Sequence, residues 1–342
     1  MALKLFGRSK SKGLRPAPAD KSGSVSSARR RHTAEFIPTP RMTLDEDPLK
    51  RLIQQGRFSV ILRDEARWRE QPKAHLVIAE AKRLLEQRMA LVPAGSVAIP
   101  QTLFAEPGAP EIEIEVEPFL LDVHVVTHAR YQQFVDAGGY DDLDYWPEEI
   151  WPHLIEFKDQ TGEPGPRYWR KGRHNAQLSD HPIVGVSCYE AQAYALWIGQ
   201  RLPTEAEWQM AASWHINSSA DLLRRFPWGD AMDNNRCNIW SSRRGGTVPV
   251  SEYASGAAPN QVLQLIGNVW EWTDAQYNIS DDVGRPIVGE MPMRVVRGGA
   301  FDTFFETQAT SHFRSGQIAM GRTFNTGFRC AMNLSAASWI NG

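Results

Sequence analysis

The sequence predicts an α+β fold in which regular secondary structure is sparse, and three observations carry that prediction. The run Glu111-Ile-Glu-Ile-Glu-Val-Glu117 alternates strictly between acidic and apolar residues, the period of a strand with one wet face and one buried face. Two segments open with a hydroxyl residue followed three positions later by glutamate, Ser187 with Glu190 and Thr204 with Glu207, the signature of a capped helix start. Beyond Ala212 helical periodicity stops and glycine, proline and tryptophan dominate. With 12 Trp, 26 Gly and 22 Pro in the chain, this mix suits ordered loops pinned by aromatic side chains.

Composition bounds the function. Of 342 residues, 42% are hydrophobic and 23% charged, ordinary values for a globular protein, and the formal charge of −2 argues against any global affinity for nucleic acid or a membrane surface. No nucleic-acid motif stands out. Cys188, Cys237 and Cys330 are odd in number, widely spaced and free of any Cys-x-x-Cys, so neither a disulfide framework nor a zinc cage is indicated and a reducing, cytoplasmic setting fits. No apolar run approaches the ~20 residues that span a bilayer, and the first twelve residues lack the apolar core of a secretory signal.

In chain order, residues 1–41 carry ten Lys or Arg against Asp20 and Glu35, a surplus of +8 among Ser, Gly and Pro. This composition reads as a disordered basic tail able to meet an acidic partner. Removing its +8 from the total of −2 leaves −10 on the remainder. Residues 42–88 repeat apolar positions at spacings of three and four and predict amphipathic helices within 48–69 and 72–89, with Asp47 and Pro48 opening the first and Gln71-Pro72 separating the two. So short a helical segment buries little by itself and is expected to dock on the domain that follows, or on a partner. That domain is assigned to 89–342. Within it, Thr127 is read as the cap of a helix ended by Gly138-Gly139, and 140–180 as a long structured loop. Gly267-Asn-Val-Trp-Glu-Trp272 is a strand entered from a tight turn, with Trp270 and Trp272 on one face and Glu271 on the other.

The series Leu91-Val-Pro-Ala-Gly95, Pro182-Ile-Val-Gly-Val-Ser187, Arg201-Leu-Pro-Thr-Glu-Ala-Glu-Trp208, Pro227-Trp-Gly229, Asn238, Gly267 to Trp272, Arg297-Gly-Gly299 and Gly327-Phe-Arg329 resembles the formylglycine-generating enzyme, or sulfatase-modifying factor, family over residues 89–333. The resemblance implies a C-type-lectin-like α+β fold. It does not by itself settle chemistry, since the family includes oxidases, sulfoxide synthases and binding scaffolds. In the family, copper(I) is held by two cysteines whose positions, counted from Gly299, are occupied here by Thr303 and Gln308. Neither is a soft ligand, so copper chemistry is disfavoured. The sulfoxide synthases carry iron on three histidines, mostly from an N-terminal helical bundle, where this chain has only His75; His124 and His128 are spaced as in a ligand pair but lack the accompanying glutamate. His312, with Asp302, Glu306 and Arg314 nearby, keeps an iron site or an acid–base pair open. Calcium is implied near Asn238 and Glu271, although the loop expected to be acidic reads Ser241-Ser-Arg-Arg-Gly-Gly246.

Two functions follow. The favoured one is a lectin-like scaffold whose pocket, built from Trp228, Trp270, Arg297, Asp302, Thr303, Gln308, His312 and Arg314, binds a peptide or small ligand without redox chemistry. The alternative is a metal-dependent oxidase, formylglycine-generating or sulfoxide-synthase-like, with His312, Asp302 and Arg314 as catalytic residues. A third option is a diversified recognition surface across 302–325.

Overall fold

The structure, a computed structural model, describes residues 47–100, 111–214, 224–280, 286–287 and 291–334. The basic tail therefore lies outside the described residues. Pro48 opens α1 (Pro48–Gln54), and the Asp47 side chain accepts from Leu49 N–H. Gly56, at φ +68°, turns the chain into α2 (Phe58–Arg63) and then α3 (Glu65–Trp68), so the helical region expected within 48–69 is divided into three short helices. After Pro72 comes α4 (Ala74–Arg88), which leads directly into β1 (Met89–Val92).

The next strands are β2 (Gly95–Pro100), β3 (Glu111–Val116) and β4 (Phe119–Asp122). β3 pairs only with β2, antiparallel, with Ile112 opposite Ile99 and Ile114 opposite Val97. Its apolar face was expected to be buried. Val116 at its inner end is buried with Val97 and Ile99 of β2 against Trp208 and Met210, but Ile112 is 52% exposed and Ile114 37%, because the covering layer does not reach across the outer strand.

Thr127 caps α5 (His128–Asp136), its hydroxyl accepting from Arg130 N–H at 3.2 Å, and Gly138 follows the helix at φ +76°. The long loop after it is organised by 3-10 turns at 143–145, 148–156 and 176–178. Both capping boxes form: Ser187 with Glu190 opens α6 (Cys188–Trp197), and Thr204 with Glu207 opens α7 (Glu205–Ser213). The remaining strands are β5 (Trp270–Gln276), β6 (Ile279–Ser280), β7 (Pro286–Ile287), β8 (Met293–Arg297), β9 (Arg314–Ile318), β10 (Thr326–Gly327) and β11 (Ala331–Asn333).

Two sheets organise the body. One has the order β1-β4-β11, the other β10-β5-β8-β9. The first is buried on both faces, and the two-residue period of its strands shows how. Leu120, Met89 and Met332 pack with Leu49, Ile61 and Leu85 of the helical segment, while Phe119, Leu121 and Ala331 pack with Trp208, Ala211 and Leu265. The helical segment therefore docks on the following domain, as its size requires. A second aromatic-rich core joins Tyr131, Phe134, Tyr194, Trp197 and Phe328 to Trp270 and Trp272 of β5.

Candidate functional site

The Gly267-Asn268 turn, with φ of +81° and +69°, delivers β5 into the interior, where it pairs antiparallel with β8 and parallel with β10. Trp270 and Trp272 share one face, as the alternation predicts, and Glu271 faces the other way. Glu271 is fully buried. Arg329, also fully buried, donates from Nη2 to Oε1 at 2.6 Å and from Nε to Oε2 at 2.7 Å, and Trp208 Nε1 donates to Oε2 at 2.8 Å. The other guanidinium hydrogens reach the carbonyls of Asp122, Val123 and Leu263 at 3.0, 3.3 and 2.8 Å. Three motifs that are distant in sequence thus close on one carboxylate. Both oxygens of Glu271 are taken up by the protein's own donors, in place of the calcium contact expected of it.

A second charge cluster forms on Glu205, the first residue of α7. Its Oε1 accepts from Arg297 Nη1 at 2.9 Å and lies 2.9 Å from Arg314 Nε. Arg297 is completely buried and also donates to Gln209 Oε1 and to the Ser311 carbonyl. Burial pulls its guanidinium down to about 10 against the opposing attraction of Glu205. His312 lies beside this cluster with Nδ1 3.1 Å from Ser311 Oγ, and burial together with the Arg297 charge lowers its pKa, favouring neutral imidazole. Arg297 and Arg314 are therefore engaged inside the protein, one face of a buried ion cluster rather than an open ligand wall.

The other expected site residues separate. Trp228 stacks on Phe226 with ring centroids 5.2 Å apart and donates to the Ala231 carbonyl at 3.0 Å. Trp270 is buried, its ring 6.1 Å from Phe313. The Thr303 hydroxyl accepts from Ala300 N–H at 2.8 Å and so caps its own turn. Gln308 ends the 3-10 turn 306–308. His128 accepts from Trp169 Nε1 at 2.9 Å, and burial, then His174, brings its pKa down to about 3, the signature of a neutral structural histidine.

Asp302 alone of the expected set lines a described cavity. That cavity, about 550 Å³, lies between the loop Trp240, Ser241, Arg243, Gly245 and the pair Phe301, Asp302. Its volume is within the range of small-ligand sites. Asn325 Nδ2 donates to both Asp302 oxygens, at 3.1 and 3.0 Å, which fixes the carboxylate. Around the mouth, Trp240 is 58% exposed, Phe304 64%, Phe305 61% and Phe324 52%. They are not scattered: Trp240 touches Phe304, Phe304 touches Phe305, and Phe301 touches Phe324, with centroids 5.2 to 6.2 Å apart. These contacts form two aromatic groups, Trp240-Phe304-Phe305 and Phe301-Phe324. Sequence reading did not single out Trp240 or Arg243 as site residues, while Phe304 and Phe305 fall within the 302–325 stretch it offered as a recognition surface. Burial is the default for such aromatic residues, and only the structure shows Trp240, Phe304 and Phe305 exposed.

The donor sets can be tested against the metals the resemblance implies. All three cysteines are buried and away from Thr303 and Gln308; burial raises Cys188 and Cys237 to about 12 and Cys330 well above the usual thiol value. Burial thus favours the protonated thiol at all three cysteines. Among the described residues no three His, Cys, Asp or Glu side chains gather as a metal-holding group. For calcium, the unspent hard oxygen at the expected position is Asn238 Oδ1, buried without a partner while Nδ2 donates to Gly246 O and Asn268 Oδ1 at 2.9 and 3.1 Å. The loop beside it carries Arg243 and Arg244 instead of acids.

Comparison with known proteins places these features. The model of the sulfatase-modifying factor enzyme 1-like domain matches residues 74–334. Hercynine oxygenase of Mycolicibacterium smegmatis is 31% identical over 284 residues, covering 75% of this chain and 63% of that protein. Formylglycine-generating enzyme of Streptomyces coelicolor is 30% identical over 277 residues, 68% of this chain and 84% of that enzyme. Inactive C-alpha-formylglycine-generating enzyme 2 of Bos taurus is 28% identical over 257 residues, 65% of this chain and 79% of that protein. The chain spans less than two thirds of the hercynine oxygenases it matches, 63%, 46% and 43% of their lengths. No helix among the described residues is long and apolar enough to cross a membrane. With a model match over most of the chain and the family's motifs joined through Glu271 and Arg329, the protein belongs to the sulfatase-modifying factor enzyme 1-like domain family.

Proposed function

We propose that this chain is a ligand-binding member of its family, in which the cavity between Trp240 and Phe301 holds a peptide or small ligand and copper–thiol chemistry is not used. One observation carries the reading: the two positions where the family resemblance places copper-binding thiols are Thr303 and Gln308, and the Thr303 hydroxyl is spent on Ala300 N–H. The exposed aromatic groups support it, as hot-spot surfaces are rich in Trp and other aromatic residues. The proposal extends to the tail, whose +8 charge suits an acidic partner, to a cytoplasmic location, and to calcium as the ion that Asn238 would accept, with no role for Glu271 in holding it.

A second reading, a metal-dependent oxidase using His312, Asp302 and Arg314, draws on the 31% identity to hercynine oxygenase. Against it, Arg314 is paired with Glu205, and Asp302 with Asn325. Metal analysis of the full-length protein separates the two. Binding predicts no stoichiometric copper or iron and no oxygen uptake with cysteine peptides or thiol–histidine substrates. Stoichiometric copper or iron that disappears together with oxygen uptake in His312→Ala would overturn it.

A further inference from the structure

The residues that line the cavity divide into donors on one chain segment and an acceptor on the other. The loop 240–246 offers donors. Among the described residues the Arg243 guanidinium has no hydrogen-bond, ion-pair or ring partner, and the backbone N–H groups of Arg244 and Gly245 meet no acceptor. The neighbouring arginine shows the contrast: Arg244 Nε donates to Tyr253 Oη at 3.3 Å and its Nη2 lies 3.5 Å from Glu252. Arg243 is also held in the left-handed region at φ +55°, at the end of the 3-10 turn 240–242, with its N–H on the Trp240 carbonyl at 3.1 Å. A non-glycine residue in that region carries a conformational cost that surrounding structure must sustain, a feature that concentrates at ligand sites. The opposite wall offers an acceptor, Asp302, whose oxygens each take one hydrogen bond from Asn325 and keep lone pairs to spare. Arg243 and Asp302 do not pair with each other. Trp240 and Phe301 line the same cavity.

Resting on the reading of this cavity as a binding site, we infer that its occupant is the free carboxy-terminal residue of a peptide, with a large apolar side chain. Its carboxylate meets Arg243 and Gly245 N–H, its side chain lies against Trp240 and Phe301, and its amide N–H donates to Asp302. Arginine's planar fork and unpaired backbone N–H groups are the donors that recognise a terminal carboxylate. Charge decides against a phosphate or other dianion, because Asp302 repels the second negative charge. A neutral apolar ligand would leave the Arg243 fork unused. The anion-recognising arginine of this fold is thus Arg243, supplied by a loop whose sequence signals only the loss of an acidic calcium ligand.

The test is calorimetric titration of the full chain with N-acetyl-L-phenylalanine, with its neutral amide, and with free phenylalanine. The carboxylate is expected to bind at least tenfold more tightly than the amide, the range of a charge-assisted hydrogen bond. Arg243→Gln should abolish that difference, Asp302→Asn should weaken the neutral amide more than the acid, which is relieved of charge repulsion, and Trp240→Ala should weaken every ligand. Equal binding of acid and amide, both lost in Trp240→Ala, would refute the carboxylate assignment while leaving a binding cavity. Tighter binding of free phenylalanine would overturn the assignment to a peptide end. No binding of any of the three would overturn both this inference and the binding reading beneath it.

Discussion

Removing Arg329 should be among the most damaging single substitutions in this protein. Arg329→Met keeps much of the volume but takes three things away at once: the countercharge of Glu271, two of the three hydrogen bonds to its carboxylate, and the donors that hold the Asp122, Val123 and Leu263 carbonyls. Breaking one partner of a buried ion pair costs about 3–5 kcal/mol. Against a total stability of about 5–15 kcal/mol this is a large fraction. Glu271→Leu should cost about the same, since it strands a buried guanidinium and the Trp208 N–H. The double variant separates charge from hydrogen bonding. It removes both ions, so the electrostatic penalty vanishes, but the carbonyls that Arg329 served still lack donors, at about 1–3 kcal/mol for each well-formed bond lost. The double variant should therefore lie well short of the sum of the singles and yet remain less stable than the natural protein. Urea unfolding followed by the fluorescence of the 12 tryptophans gives all four corners of the cycle. A cost of under about 1 kcal/mol for Arg329→Met, or singles that simply add, would refute the view of this pair as the joint between the motifs.

Two further outcomes follow from geometry. His128 has its pKa depressed to about 3 by burial and by His174, so between pH 6.5 and 3 the unfolded chain binds a proton that the folded one refuses. Its contribution is thus destabilising as pH falls through that window, by up to about 1.4 kcal/mol per pH unit; His128→Asn, which keeps an acceptor for Trp169, should flatten the pH dependence of the urea midpoint by about one proton, and an unchanged slope would disprove the assignment. Gly267→Ala places a methyl 2.5 Å from the Asn238 carbonyl oxygen in a residue at φ +81°, whereas Gly95→Ala meets only the flexible end of Met210. The first should lower stability by about 2 kcal/mol or more and the second by much less, so equal midpoints in thermal or urea unfolding would contradict the steric account.

How much was legible beforehand depended on distance along the chain. The caps at Thr127, Ser187 and Thr204 could be read because each bond spans three residues. The turn at Gly267-Asn268 and the strand after it were equally local. The buried face expected for β3 was found only at Val116, since alternation reports which residues share a face and says nothing about how far a second layer covers it. At the site, Asp302 lines the described cavity, while Arg297 and Arg314 are engaged with Glu205.

By itself the sequence determined the family, the α+β class, the helix starts and the absence of thiols at positions 303 and 308, because these follow from residue identity and spacing. Only the tertiary structure decided which charges meet. Glu271 and Arg329 are 58 residues apart, and Arg297 and Glu205 are 92 apart. Whether an arginine is consumed by a buried glutamate, as Arg297 is, or left at a cavity without a partner among the described residues, as Arg243 is, depends on what the fold brings within about 3 Å of it, and no local pattern encodes that.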